Sequence, residues 1–193
     1  MPWEKSFDEE AAIDSAMEVF WAKGFESASI ADLIAQTGVN RGSLYNAFGG
    51  KRQLFVRALL KYDSVRRKTM LAELEALDDP RRAIRDFFAN AVANTLADTE
   101  HKGCFLINTI AESGSLDEQV QDIVANGLRE LEGFFRRCIE VGQARGEIHK
   151  AIDPAAKASA LLAMALSIRV LGRGPYPEGS LRTIADEAIK LIG

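Results

Sequence analysis

SIADLIAQTGVNRGSLYNAFGGKRQL, residues 29–54, reads as two short helices joined by a tight turn, with a third beginning just after. Ser29 is placed to cap the first, whose Ile30, Leu33 and Ile34 recur at helical spacing. Gly38 supplies the positive-φ position that stops it. Val39 fills the bend, and Asn40 caps a second helix, RGSLYNAF, in which Leu44 and Phe48 form the buried stripe. The opposite face carries Arg41, Gly42, Ser43, Tyr45 and Asn46. A helix this short gains little from such a face unless it lies against something polar. The pattern is that of a helix-turn-helix, whose second helix enters a DNA major groove.

Outward from this motif the composition sets limits. At 193 residues and 47% apolar, the chain is long enough for a sizeable core, or for a small domain fused to a larger one. No apolar run approaches the roughly 20 residues of a membrane span, so no membrane partner is expected. The start, MPWEKSFDEEA, lacks the apolar region of a signal peptide. The two cysteines, Cys104 and Cys138, suit a reducing cytoplasm. The net charge of −4 looks wrong for DNA, but distribution matters more than the sum. Arg41, Lys51 and Arg52, followed by Arg57, Lys61, Arg66, Arg67 and Lys68, gather in and behind the second helix, while acids dominate the first stretch.

Everything else reads as helix, which makes the chain all-α with about nine helices. A Ser6/Glu9 capping box opens helix one, which ends at Gly24. A long helix runs from Lys51 to about Leu77, and Asp79-Pro80 starts another to about Ala97. After a polar break come the short CFLINTIAES segment and a Ser115/Glu118 capping box leading a helix to about Ala144. Asp153-Pro154 opens a helix ending at the Gly172/Gly174/Pro175 cluster, and Ser180 caps the last one. The expected division is a DNA-binding domain over residues 1–50 and an effector-binding and dimerisation domain over residues 51–193.

The N-terminal segment resembles the DNA-binding domain of the TetR/AcrR family of bacterial transcriptional repressors. The resemblance is carried by Ala16, Phe20, Lys23, Gly24 and Phe25, by SIADLIAQTGV, and by the GSLYxxFGxKxxLF run from Gly42 to Phe55. It covers the first quarter of the chain closely and the remainder by helix pattern. The family's arrangement implies three helices for DNA and about six for regulation. No nucleophile-elbow, HExxH or paired-carboxylate motif appears, so neither catalysis nor a cofactor is expected. Double-stranded operator DNA, a small-molecule effector and a second copy of the chain are the partners the family implies.

For DNA the expected contacts are Ser29, Thr37, Arg41, Gly42, Ser43, Tyr45, Asn46 and Lys51. Ser29 and Lys51 stand at helix N-termini, where phosphates bind. Arg41 suits guanine O6/N7 and Asn46 suits adenine N6/N7. Tyr45 is similar to the family tyrosine that reaches the DNA backbone. Phe20 and Trp21 of helix one, with Leu54 and Phe55, are expected to brace the recognition helix. Many family members carry an aromatic and a histidine where this chain has Asn46 and Ala47, so operator sequence does not carry over.

In the regulatory part the family encloses an effector cavity, which implies Phe87, Phe88, Cys104, Phe105, Asn108, Phe134 and Phe135 as lining. The same side chains at helical spacing also suit plain core. Thr109 and Arg136 are further polar candidates. Cys104 follows His101-Lys102-Gly103 at a helix start, where the dipole and a nearby cation favour a reactive thiolate. KGCFLINT also resembles a segment of family members that sense oxidants or electrophiles. The helix Ala155–Leu171 is rich in Ala, Leu, Met and Ile, and the last helix has a matching stripe. The family pairs its last helices across a two-fold, which implies Leu161, Leu162, Met164, Ala165, Ile168, Ile184 and Ala188 as the dimer surface. His101 and His149 lack ligand spacing, so no metal is expected, and Gly49-Gly50-Lys51 is not a phosphate-cradling loop. The competing reading is a helical small-molecule-binding protein without operator-specific DNA binding.

Overall fold

Polar caps and glycines cut the chain into helices where the sequence places them, with three exceptions. The computed structural model describes residues 7–112 and 117–193, and among these residues it contains nine helices and no strand. Helix α1 (Glu9–Ser27) is opened by Asp8, whose carboxylate accepts from the Glu10 and Ala11 amides. The expected Ser6 cap lies outside the described residues. Gly24 breaks α1 at φ 79° and ψ 172°, and the chain resumes helical geometry for one further turn. Helix α2 (Ile30–Thr37) carries a capping box of Ser29 with Asp32 and ends on Gly38 at φ 69°. Helix α3 (Arg41–Phe48) is capped by Asn40 and ends on Gly49 at φ 78°.

The first exception is α4, residues 51–75. It starts as Lys51–Tyr62, passes through a π-helical stretch, Asp63–Lys68, and returns to α geometry over Thr69–Glu75. Nothing in the apolar spacing of this helix signals the change of pitch. Asp79 and Pro80 open α5 (Pro80–Leu96) as expected. Helix α6 (Phe105–Glu112) follows, then α7 (Glu118–Ala144). The second exception is the start of α7, where Asp117 accepts from the Val120 amide; the expected Ser115 cap lies outside the described residues. Asp153 and Pro154 open α8 (Pro154–Leu171). The third exception is α9 (Glu178–Lys190), which begins with Pro177 at the cap position and so encloses Ser180. Proline there lacks an N–H that the helix start leaves unpaired in any case.

The apolar faces form two clusters. The head-side cluster joins Phe20, Leu33, Leu44, Phe48, Leu54, Phe55 and Tyr62 to Phe105, Leu106, Val120 and Val124, so it draws on both sides of residue 50. The body-side cluster packs α5 (Ile84, Phe87, Phe88) against α7 (Leu131, Phe134, Phe135), α8 and α9. On α8 the stripe Ala158, Leu161, Ala165 and Ile168 is fully inside the protomer, as is Ala188 on α9. This corrects the expected dimer surface. Leu161, Ala165, Ile168 and Ala188 face the protomer core, because their spacing follows the side of α8 and α9 that covers α5 and α7. Leu162, Met164 and Ile184 are half-buried at the edge of that stripe.

Candidate nucleic-acid interface

Helix α3 is held by what it buries. Leu44 is fully buried and Phe48 nearly so, in the cluster where the Phe20 and Phe55 rings meet edge to face, 5.1 Å apart. Phe20 and Phe55 thus brace α3 as expected. Trp21 does not: its ring packs on Tyr62 of α4 and its Nε1 donates to the Gly103 carbonyl at 3.2 Å, so it ties the head to the body.

With Leu44 and Phe48 inward, Arg41, Gly42, Tyr45 and Asn46 emerge as one exposed strip. Arg41 and Tyr45, and Gly42 and Asn46, are four apart, and Gly42 and Tyr45 three apart, spacings that share a side of a helix, so these four can meet a single groove. The Arg41 guanidinium lies over the Tyr45 ring at 5.7 Å from its centroid, and Tyr45 is 42% exposed. Gly50, at φ 119°, lets the chain turn beneath that ring, since an added Cβ would stand 3.3 Å from it. Gly42 is different. A Cβ there would meet only the Asn40 Oδ1 at 3.5 Å, an ordinary contact, so nothing within the protomer requires glycine.

Other expected contacts have their polar groups engaged inside the protein. The Ser29 hydroxyl donates to Asp32 at 2.8 Å and its amide does the same at 2.9 Å. A phosphate at this helix start would meet the Asp32 carboxylate, which corrects the reading of Ser29 as a phosphate donor. Asp32 is held far below the usual carboxylate range by the hydrogen bond from Lys23, helped by both Ser29 donors. The Thr37 hydroxyl donates to the Leu33 carbonyl and accepts from the Val39 amide, sealing the turn. Ser43 is buried, 8% exposed, on the inner side of α3.

The basic residues divide in a way composition concealed. Lys61 bonds Glu10 and Asp14, Arg57 lies 3.6 Å from Glu9, Arg52 pairs with Asp117, and Arg67 is buried with Asp63. These cations fasten α4 to α1 and α7. Arg41 and Lys51 form no ion pair among the described residues. Lys51 rests over the Phe25 ring at 4.5 Å and donates to the Glu26 carbonyl at 3.3 Å, at the edge of the exposed strip.

The expected effector lining does not come together. Phe87, Phe88, Phe134 and Phe135 pack ring on ring in the body, with centroids 4.9–6.2 Å apart, and are buried against one another. Phe105 belongs to the head-side cluster, against Phe55 and Tyr62. Asn108 is fully engaged: its amide donates to the Lys102 carbonyl and its oxygen accepts from Arg173. Thr109 is buried and donates to the Phe105 carbonyl, and Arg136 pairs with Glu140 on the surface. Cys104 is half-buried and shares a hydrogen bond with the Tyr62 phenol, whose ionisation is pushed far up by burial and by that thiol. Lys102, the cation expected beside Cys104, pairs with Glu18 and Glu100 instead. Cys138 is buried, and its thiol is pushed up to about 12, so it stays protonated.

Sequence reasoning missed how α6 holds the head. The Glu112 carboxylate accepts from the Phe25 amide at 2.8 Å and the Glu26 amide at 3.4 Å, at the break in α1. Gly24 sits at φ 79° and ψ 172°, a conformation that favours glycine, and a Cβ there would displace the Glu112 carboxylate from this joint. An exposed-looking glutamate at the end of a short helix carries no local signal of such a role. The Asp63/Arg67 pair was missed as well: Arg67 was counted only among the basic residues behind α3, whereas it is buried with Asp63 at i,i+4 spacing.

Comparison with known proteins gives a consistent picture. Residues 12–58 match the family model described as bacterial regulatory proteins, tetR family, and residues 80–173 match the tetracyclin repressor-like C-terminal domain. The chain is 36% identical over 155 residues to the HTH-type transcriptional repressor ComR of Escherichia coli, covering 75% of this chain and 69% of that protein. It is 33% identical over 146 residues to the HTH-type transcriptional regulator YezE of Bacillus subtilis, covering 75% of each. Among solved structures, the regulator CifR, as a cysteine mutant in complex with 26-bp operator DNA, superposes with a TM-score of 0.83. It is 26% identical, and the match covers 96% of this chain and 97% of that one.

Proposed function

The chain belongs to the TetR family of bacterial transcriptional regulators, and from that premise we propose that it is a homodimeric repressor released from a near-palindromic operator by an effector. The single observation that carries the reading is the exposed strip Arg41, Gly42, Tyr45 and Asn46 on a helix seated by Leu44 and Phe48. Arg41 and Asn46 read base edges, Tyr45 and Lys51 hold the sugar–phosphate backbone, and Gly42 lets the helix approach closely.

One such helix covers only a few base pairs, so two copies must be held at a fixed spacing. Half-sites one turn apart require recognition helices about 34–36 Å apart. Helix α8 supports a dimer by what it leaves uncovered. Against the expectation that no apolar run approaches a membrane span, its 18 residues have a mean hydropathy of 1.4. They are long and apolar enough by length and composition alone to cross a bilayer, yet only 22% of them are buried within the protomer. Ser159, Ala163, Leu166 and Val170, spaced four, three and four apart, lie beside the buried stripe and form the surface for the second copy. That surface takes the place of the buried Leu161, Ala165, Ile168 and Ala188, with the half-buried Leu162, Met164 and Ile184 kept as its edge.

Release follows if the effector prefers the conformation whose heads miss the half-site spacing. Helix α4 spans both clusters, and α6 grips α1 through Glu112, so movement in the body reaches the heads along both. Modification of Cys104, at the head of α6, would act through the same contact. The protein acts in the cytoplasm, on its own promoter region. The test is in vitro transcription from that promoter, with a footprint of the bound site. Repression with a protected palindrome supports the reading. Activation, or no protected site, overturns it.

A further inference from the structure

A loop that neither the DNA strip nor the outward face of α8 uses spans the gap between head and body. Residues 98–103 join α5 to α6, and three consecutive carbonyls in this loop are each taken by a side chain from a different element. The His101 carbonyl accepts from Nε of Arg173, in the turn just past α8, at 3.2 Å. The Lys102 carbonyl accepts from Asn108 Nδ2 of α6 at 2.6 Å. The Gly103 carbonyl accepts from Trp21 Nε1 of α1 at 3.2 Å. Lys102 adds an ion pair to Glu18 of α1 at 3.0 Å. The loop closes on itself through the Gly103 amide, which donates to Asp98 at 2.6 Å.

The carbonyls of a surface loop are satisfied by water alone, so the capture of three in a row by distant side chains makes this loop a joint. His101 sits at φ 53°, a left-handed conformation that a non-glycine residue keeps only where its surroundings over-determine it. At Gly103, φ 68°, an added Cβ would stand 2.6 Å from Arg173 Cδ, so the stem of that arginine lies directly on the loop. Arg173 forms no ion pair among the described residues. Its Nη1 donates to Asn108 Oδ1 at 2.9 Å, so its guanidinium serves the loop and the side chain that holds the loop. Beside the joint, a cleft of about 580 Å³ separates Lys23 and Gln36 of the head from His101 and Arg173. On that side the loop is what bridges head and body.

The ends of the joint stand where the spacing of two heads is set. Arg173 is three residues past Val170, the last residue of the outward face of α8. Trp21 adjoins Phe20, which braces α3 together with Phe55. A continuous chain of hydrogen-bonded and packed groups carries a displacement from one end to the other.

We propose that the loop 98–103 fixes the distance between the two DNA-binding heads, with Arg173 as the positioning residue on the dimer side and Trp21 on the head side. The inference rests on the dimer reading above and names what holds its two heads at one spacing.

The test is a double electron–electron resonance measurement on the full chain, spin-labelled at Gln53→Cys, an exposed head position, with Cys104→Ser and Cys138→Ala. With one label per chain, the distance measured spans the dimer. A single narrow distance is expected, and Arg173→Gln and Trp21→Phe should each broaden it about twofold while circular dichroism stays helical. Trp21→Phe keeps a ring against Tyr62 and removes the donor, so it decides should Arg173→Gln not fold. Arg182→Gln, which removes an exposed arginine paired with Glu178, is expected to leave the distance unchanged. An unchanged distance in the joint variants, a wild-type distribution already as broad as theirs, or equal broadening by Arg182→Gln would overturn the joint and leave the dimer reading standing. No interchain distance in the otherwise unsubstituted labelled chain would overturn the dimer reading, and this inference with it.

Discussion

Gly42 separates what the protein needs from what DNA needs. The protomer has room for a methyl group at this position, and helices favour alanine over glycine by up to about 1 kcal/mol. Gly42→Ala is therefore expected to leave the melting temperature unchanged or raise it, while weakening operator binding by about 1–3 kcal/mol, the worth of one good base contact. Calorimetry and fluorescence anisotropy on the same sample check both halves. Lys51 gives the complementary case. Its replacement by Gln should weaken binding to all sequences alike and lower the salt dependence by roughly one released counterion. At this scale the sequence was an uneven guide. Arg41, Tyr45 and Asn46 are exposed where helical spacing placed them, because neighbours in sequence set that face. Ser29 and Thr37 were misjudged because their hydroxyls bond partners within a few residues, and type alone does not reveal whether a hydroxyl is already engaged.

Elements are joined here by side chains from distant parts of the chain, and those joints make predictions of their own. Asp117 opens α7 and receives the Arg52 guanidinium from the start of α4. Chiefly because of Arg52, its carboxyl titrates at about 2 in the folded chain, below the ordinary 3.8. A depressed carboxyl stabilises the fold fully above its unfolded value and loses that contribution as pH falls through the folded one. Urea unfolding should therefore show Asp117→Asn losing less stability than the wild type between about pH 4 and pH 2. The joint between α6 and α1 makes a second prediction. Glu112→Ala leaves the Phe25 and Glu26 amides without their acceptor, which should cost about 1–2 kcal/mol in urea unfolding and weaken operator binding as the head loosens. Helix boundaries were legible wherever Asp-Pro or glycine punctuates the chain. The π-helical stretch of α4 was not, because nothing in its apolar spacing marks it; its Arg67 bonds Glu130 of α7, 63 residues further on.

At the scale of the whole molecule, the division of α8 between protomer core and dimer surface could not be read from composition. Both faces are apolar, and only packing against α5 and α7 shows that Leu161, Ala165 and Ile168 point inward. Ala163 points outward, so Ala163→Glu should leave the protomer folded, shift the mass in light scattering from dimer to monomer, and lower operator affinity about 100-fold or more. That loss is what separating two linked binding heads removes. The central claim is that the dimer reads a specific DNA sequence through α3. It is tested most directly by titrating the protein against DNA from its own upstream region and against a shuffled fragment of equal length, across a series of salt concentrations. Selective binding is expected, at least about a thousandfold tighter than to shuffled DNA, with an affinity that falls steeply as salt rises. Equal affinity for the two fragments at every salt concentration would contradict it.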